Sequence, residues 1–432
     1  MEKDIFRPLI TCKKNQREEF IYKNTIGIYK DYYFDYTASG LGFLPIEQRT
    51  QEALKTYANT HSKEASLAQI SQKYYEEARA RLKKNLRLND DFALLPCGYG
   101  ATGAIKKAQE LLGVYIPPAT KKRYKINIKK EDMPLVIVGP YEHHSNELSF
   151  RESLSECIRV PLDEKGLIDF EYFEDLLKKN QDRELIISFC IASNVSGIIS
   201  PYQKISALGR KYKALVCFDA AASSAYMNID SMLFDVMFLS PHKLLGGPGS
   251  CGLLAIKKSL IDTSLAPSFS GGGTVAYVSR TTQNYESDIE LREDAGTPPI
   301  LELIRASLAF QLRNELGFSY IMERKKDLME YFLAGLKKIP NCVIYGNEHE
   351  KNIGIISFNL GKKNPYDLCK LLSDKQIQTR AGCSCAGPYG HDLLNMQDKE
   401  TCDIKPGWLR VSIHFSHTKK QISKLLLALE SL

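Results

Sequence analysis

The chain has 432 residues, 44% of them hydrophobic and 25% charged, which is enough apolar content for a sizeable core and an ordinary charge load for a globular protein. Its net charge of +7 is mild, and no apolar run approaches the roughly 18 residues that span a bilayer, so a membrane helix and a strongly basic nucleic-acid binder are both excluded. The start, Met1 to Ile5, has no signal-peptide apolar segment, and the 11 cysteines show no disulfide-framework spacing, so a cytoplasmic protein with reduced thiols is expected.

Residues 1–25 are polar and read as an arm or short helix. Tyr33-Phe34-Asp35-Tyr36 reads as a short strand entering the small-residue loop Thr37-Ala38-Ser39-Gly40. Apolar residues at helical spacing (Leu67, Ile70, Tyr74, Ala78, Leu82, Leu86) predict a helix over 63–88. Gly98-Tyr99-Gly100 opens a second helix over 101–113. Lys121-Lys122-Arg123-Tyr124-Lys125, followed by Lys129-Lys130, reads as a solvated insertion; no finger or RNA-recognition signature accompanies it, and no nucleic acid is expected. From 134 to 257, near-continuous apolar runs (135–138, 185–189, 214–218, 236–239, 252–256) alternate with amphipathic segments. That pattern predicts an α/β fold with a mostly parallel central sheet covered on both faces. After 300 the pattern changes to a long helical stretch over 300–337, strands near 342–345 and 353–360, a helix over 365–374, a further extended run 377–380, a long loop, a strand at 408–415 and a final helix, which reads as a smaller C-terminal α+β domain.

The polar residues of interest fall at the carboxyl ends of the predicted strands, where ligands of parallel sheets bind. Lys243 stands in Ser240-Pro241-His242-Lys243, before a glycine-rich turn, and Asp219 closes the strand 24 residues earlier. A lysine amine held away from water favours its reactive neutral form. An acid beside it suits a pyridoxal phosphate (PLP) site, which needs a lysine for the Schiff base and an acid against the pyridine nitrogen. Asn194 is a candidate donor to the ring oxygen. Gly100-Ala101-Thr102 at a helix start is a candidate anion site, and Ser240 and His242 are further phosphate donors. His143 and His144 raise the question of a metal, but without a third ligand at suitable spacing a flat imidazole stacked on a ring fits better.

These stretches, in order with Glu142-His143-His144-Ser145-Asn146, Ser193-Asn194-Val195-Ser196-Gly197, Asp294-Ala295-Gly296-Thr297-Pro298 and Arg380-Ala381-Gly382-Cys383-Ser384-Cys385, resemble the class V (fold type I) PLP enzymes of the cysteine desulfurase and selenocysteine lyase group. The resemblance runs from about Tyr33 to about Ser416. It implies a large PLP-binding domain over 26–299 and a small domain over 300–432 carrying an active-site loop at 380–407, with the 1–25 arm packed on the small domain. It implies that Lys243 attaches PLP, His143 stacks on the ring, Asp219 meets the pyridine nitrogen, and Ala101, Thr102, Ser240 and His242 bind the phosphate. Asn194 would lie near the ring oxygen and the substrate. Thr297 would reach the phosphate of a neighbouring subunit, implying a homodimer. Arg410 would grip the substrate carboxylate with Arg380 in support, and Cys385 would take sulfur from L-cysteine as a persulfide, leaving L-alanine and passing the sulfur to an acceptor protein.

Two departures stand out. Ala222 occupies a position where many members carry a glutamine, and the stretch after Cys385 is longer than in plain desulfurases, with a Cys-x-Cys pattern as in the desulfurase-like domain of molybdenum-cofactor sulfurases. Three alternatives therefore remain at this point: another class V reaction on an amino acid (aminotransferase, lyase or epimerase), a non-catalytic sulfur-relay scaffold, and a metal cluster of Cys383, Cys385, Cys402 and His391. No metal is expected.

Overall fold

The computed structural model describes residues 3–60, 62, 64–98, 100–398 and 406–432. Seven core strands form the larger sheet: β1 Phe92–Cys97, β2 Leu135–Val138, β3 Glu156–Arg159, β4 Leu185–Cys190, β5 Leu215–Asp219, β6 Val236–Leu239 and β7 Gly252–Lys257. Their order is β1-β7-β6-β5-β4-β2-β3, and only β7 runs antiparallel to its neighbours. β2, β4 and β6 are buried at every position, which is why they read as near-continuous apolar runs.

Helices α1 Ser66–Leu86, α2 Gly100–Leu111 and α3 His144–Arg151 surround this sheet: α2 and α3 pack on its strands, and α1 packs chiefly on the helix at 300–316. α1 buries Tyr74, Ala78, Leu82 and Leu86, the stripe that its periodicity predicts. The long helical stretch expected over 300–337 is two helices, α4 Ile300–Leu316 and α5 Phe318–Leu336. Gly317 breaks it by adopting a φ of 84°, which a side chain disfavours, while its N–H still closes α4 on the Arg313 carbonyl. α4 contributes Leu303, Ile304, Leu308 and Phe310 to the larger core.

The smaller sheet comprises β8 Cys342–Tyr345, β9 Ile355–Leu360, β10 Arg380–Gly382 and β11 Trp408–Ser412, all antiparallel, in the order β8-β9-β11-β10. α5 and the closing helix α6 Lys419–Glu430 pack on it through Leu328, Phe332, Ile422 and Leu425. Tyr33–Tyr36 is not a strand: Tyr33 makes one isolated bridge to Gln378, and Ser412 N–H donates to the Phe34 carbonyl. This strap thus lies along the smaller sheet. Residues 3–10 cross the helices at 44–54 and 300–316, where Leu9 and Ile10 N–H groups donate to Glu315 and Arg7 pairs with Glu52. The 380–407 loop is not irregular throughout, since Gly387–Leu393 forms a short helix.

The strap and the Lys243 turn meet at Gly40. A Cβ added there would fall 1.9 Å from the Leu244 carbonyl oxygen, a backbone atom that cannot yield by a rotamer change. Gly40→Ala should therefore lower unfolding free energy by about 2–3 kcal/mol, as overpacking against backbone does, and a urea denaturation curve that coincides with wild type would refute this close packing.

Candidate active site

β4, β5 and β6 end in register: Cys190 pairs with Asp219, and Asp219 with Phe238. The chain leaves β6 through Ser240 into a single tight turn, Pro241–Lys243. Lys243, Asp219, Asn194, Ser240 and His242 therefore converge on one cavity of about 330 Å³, together with Ala101, Thr102, His143, Arg380, Cys385 and Arg410. Of the residues to which the resemblance gives a cofactor or substrate role, Thr297 lies elsewhere: it is exposed, beside Tyr57, Cys97 and Pro299, and accepts from Asn59 Nδ2 at 3.1 Å.

Burial pushes the Lys243 amine down to about 8, partly offset by the Asp219 carboxylate, which favours the charged form. Asp219 is itself buried and shifted upward by loss of water, while the Ala221 N–H at 2.8 Å and Lys243 oppose that shift. His143 caps α3, its Nδ1 accepting the Ser145 N–H at 3.1 Å. Desolvation first, and Lys243 second, hold it near 4, so its ring stays neutral at physiological pH. His242 is held near 4 for the same two reasons.

One corner of the cavity is built for close approach. A side chain at Gly100 would place its Cβ 2.7 Å from His242 Cε1 and 2.8 Å from Ser240 Oγ, so backbone alone fits there. Ser240 Oγ accepts the Ala101 N–H at 2.9 Å, and Thr102 and Ser145 hydroxyls lie 2.7 Å apart. The α2 N-terminus and three hydroxyls thus face one spot, which suits a phosphate.

At the opposite end, Arg410 on β11 is 3% exposed, donating Nη1 to the Asn194 carbonyl and Nη2 to Asp35, each at 3.0 Å. Arg380 on β10 meets the same Asp35 at 2.8 Å but is 47% exposed. Cys385 lines the same cavity from a strained turn, with Ser384 at a φ of 55° and Cys385 at 56°. Such left-handed conformations cost about 1 kcal/mol or more per residue and persist only where neighbours impose them. Here Asn194 Nδ2 donates to the Ser384 carbonyl at 2.6 Å and the His144 N–H to the Cys385 carbonyl at 2.7 Å. His144 Nε2 also accepts the Gly387 N–H at 2.8 Å, so α3 anchors the loop as well as supplying His143. Cys385 is exposed, whereas Cys383 is partly buried against the larger core.

Asp35 and Glu142 stand within the motifs, but the sequence assigns neither a role. Glu142 is buried and pushed up to about 8 by desolvation; it accepts the Cys190 N–H and Asn146 Nδ2, which ties β4 to α3. A buried acid between two motif residues was the available signal. Among the described residues no group of three His, Cys, Asp or Glu side chains is arranged to hold a metal; Cys402 lies outside them.

A larger, mostly parallel sheet with a lysine at a strand end and a smaller antiparallel domain closing over it is fold type I of the PLP-dependent enzymes. The family model described as aminotransferase class-V matches residues 32–425, and the chain belongs to that family. Its members are PLP-dependent enzymes. A cysteine desulfurase of Escherichia coli O7:K1 is 27% identical over 301 residues, 68% of this chain and 70% of the relative; one from Shigella sonnei is 28% identical over the same shares. Among solved structures, the apo cysteine desulfurase of Thermococcus onnurineus NA1 matches with a TM-score of 0.81 at 23% identity, over 96% of this chain and 97% of that one. The Escherichia coli cysteine desulfurase CsdA, in an S-sulfonic acid form, matches at 0.77 and 22%, over 98% of each chain. The last two likenesses establish the fold.

In cofactor-free protein, the Lys243 amine should condense with an added aromatic aldehyde at a rate that rises through pH about 8 and levels off by about pH 9. A rate still climbing through the ordinary lysine value of 10.5 would show that the amine is not desolvated.

Proposed function

We propose that this chain is a cysteine desulfurase that holds PLP and removes sulfur from L-cysteine, giving L-alanine and a persulfide on Cys385. The observation that carries this reading is the placement of an exposed thiol, Cys385, over the cavity that also holds Lys243 and Arg410. An aminotransferase or epimerase needs the lysine and arginine but has no use for a thiol on a strained loop.

The residues present fit PLP. The Asn194 Oδ1 atom is buried and unpartnered, which a ring substituent with a proton would satisfy. Lys243 is the attachment point, Asp219 the partner of a ring N–H, neutral His143 the stacking face, and Ala101, Thr102, Ser240 and His242 the phosphate corner. Bound there, PLP supplies an electron-withdrawing ring that stabilises negative charge on the substrate α-carbon. Ala222 lines the same cavity and cannot donate a hydrogen bond, so the ring oxygen would depend on Asn194.

Arg410, assisted by Arg380, orients the substrate carboxylate, and the Lys243 amine takes the α-proton. The Cys385 thiolate then attacks the substrate sulfur: the new S–S bond forms as the carbon–sulfur bond breaks, and the electron pair stays with carbon, which is protonated and leaves as alanine. Thiol exchange with an acceptor protein would discharge the persulfide.

Two wider readings follow. The hairpin strands Val275–Val278 and Gln283–Tyr285 expose Tyr277 and Val278 near exposed Phe269, and Thr297 lies outside its own cavity; both support a homodimer in which Thr297 serves the neighbouring site. Ten described cysteines are unpaired, which supports a reducing, cytoplasmic location, and among the described residues no helix is long and apolar enough to cross a membrane.

With PLP and a reductant, wild type should convert L-cysteine to equal amounts of alanine and sulfide. Cys385→Ala should lose sulfide release at least about 10²-fold while keeping the cofactor's visible band, and Lys243→Ala should lose both activity and band. Wild type that carries the band yet leaves L-cysteine unchanged would overturn the desulfurase reading. Sedimentation of the purified protein at about twice the monomer mass is expected, and a monomer at micromolar concentration would refute the Thr297 assignment.

A further inference from the structure

Asp35 binds two arginines at once. One oxygen accepts Arg410 Nη2 at 3.0 Å, and the other accepts Arg380 Nε at 2.9 Å and Nη2 at 2.8 Å. Its strap is pinned from both sides: Phe34 N–H donates to the Gln378 carbonyl at 2.8 Å, Thr37 N–H donates to Ser412 Oγ at 3.1 Å, and the Tyr36 ring stacks on His414 at 3.8 Å. The carboxylate is therefore a fixed charge.

Two guanidiniums against one carboxylate leave one net positive charge at this end of the cavity. Lys243, the other cation lining it, has Asp219 as its strongest opposing charge, and among the described residues no further lysine or arginine lines the cavity. Arg410 has given Nη1 to the Asn194 carbonyl and Nη2 to Asp35, and its Nε is buried without a partner. Buried charge is tolerated only when balanced, so this end is short of one negative charge.

We propose that Asp35 is a specificity-determining residue: as the shared counter-ion of Arg380 and Arg410, it tunes the clamp to one carboxylate and disfavours amino acids with a second acidic group. This deepens, and rests on, the reading of the site as one for an amino acid. A neutral side chain at this position leaves two positive charges, which a dianionic side-chain acid satisfies better than a monocarboxylate does. A unit charge acting over several ångströms at an intermediate effective dielectric changes relative binding about tenfold.

The test titrates PLP-loaded enzyme with L-alanine and with L-aspartate, following the visible absorption, and compares the ratio of the two Kd values. In Asp35→Asn the preference for L-alanine over L-aspartate should fall about tenfold, and in Asp35→Glu it should stay within about twofold of wild type. Arg380→Gln, which removes one positive charge from a half-exposed position, should move the ratio the opposite way, and it decides the matter if Asp35→Asn does not fold. A carboxylate with a merely structural role would weaken both ligands together and leave the ratio unchanged. Wild type that binds both amino acids while the ratio stays put in Asp35→Asn and Arg380→Gln overturns this proposal alone. Wild type that binds neither overturns the amino-acid reading and this proposal with it.

Discussion

The parallel register of β4, β5 and β6 is the constraint on which the site depends. Because Cys190, Asp219 and Phe238 lie side by side, three successive chain reversals are forced to the same edge of the sheet. Ser193-Asn194, Asp219 and Ser240–Lys243 are what those reversals carry. Strands of this kind are buried on both faces, so polar groups gather mainly at their ends, and a polar group there is partly stripped of water. The depressed Lys243 amine and the elevated Asp219 carboxyl are opposite consequences of that one desolvation, each moderated by the other's charge.

The smaller sheet supplies what the larger cannot, namely permanent positive charge and a thiol. Arg380 and Arg410 are cross-strand partners on β10 and β11 and would repel each other without a counter-ion. Asp35, delivered by the strap that crosses from the larger to the smaller sheet, resolves that repulsion. The loop that follows Arg380 is then held in left-handed geometry by Asn194 and by the His144 amide, both belonging to the larger sheet's edge. The two domains are therefore joined through the site, and a change at Asn194 bears on the loop and the arginine together.

Much of this was legible in the chain because burial writes a strong signal. Near-continuous apolar runs marked β2, β4, β5, β6 and β7, and the residues after the first four marked the cavity edge. The helix break at Gly317 was less visible, since apolar spacing continues across it and only the positive φ distinguishes a stop from an interior glycine. Tyr33–Tyr36 has strand-like composition yet finds one bridge, because its neighbours' hydrogen bonds go to Gln378 and Ser412 in an interrupted pattern.

By itself the sequence determined the sheet type, the lysine and acid at its edge, and the ordered motifs that match the class V family, because each rests on local pattern or on spacing along the chain. Only the tertiary structure decided that one carboxylate, Asp35, serves arginines 345 and 375 residues away, that α3 anchors the Cys385 loop, and that Thr297 stands outside its own cavity. Those are contacts between elements whose separation in sequence carries no record of their distance in space.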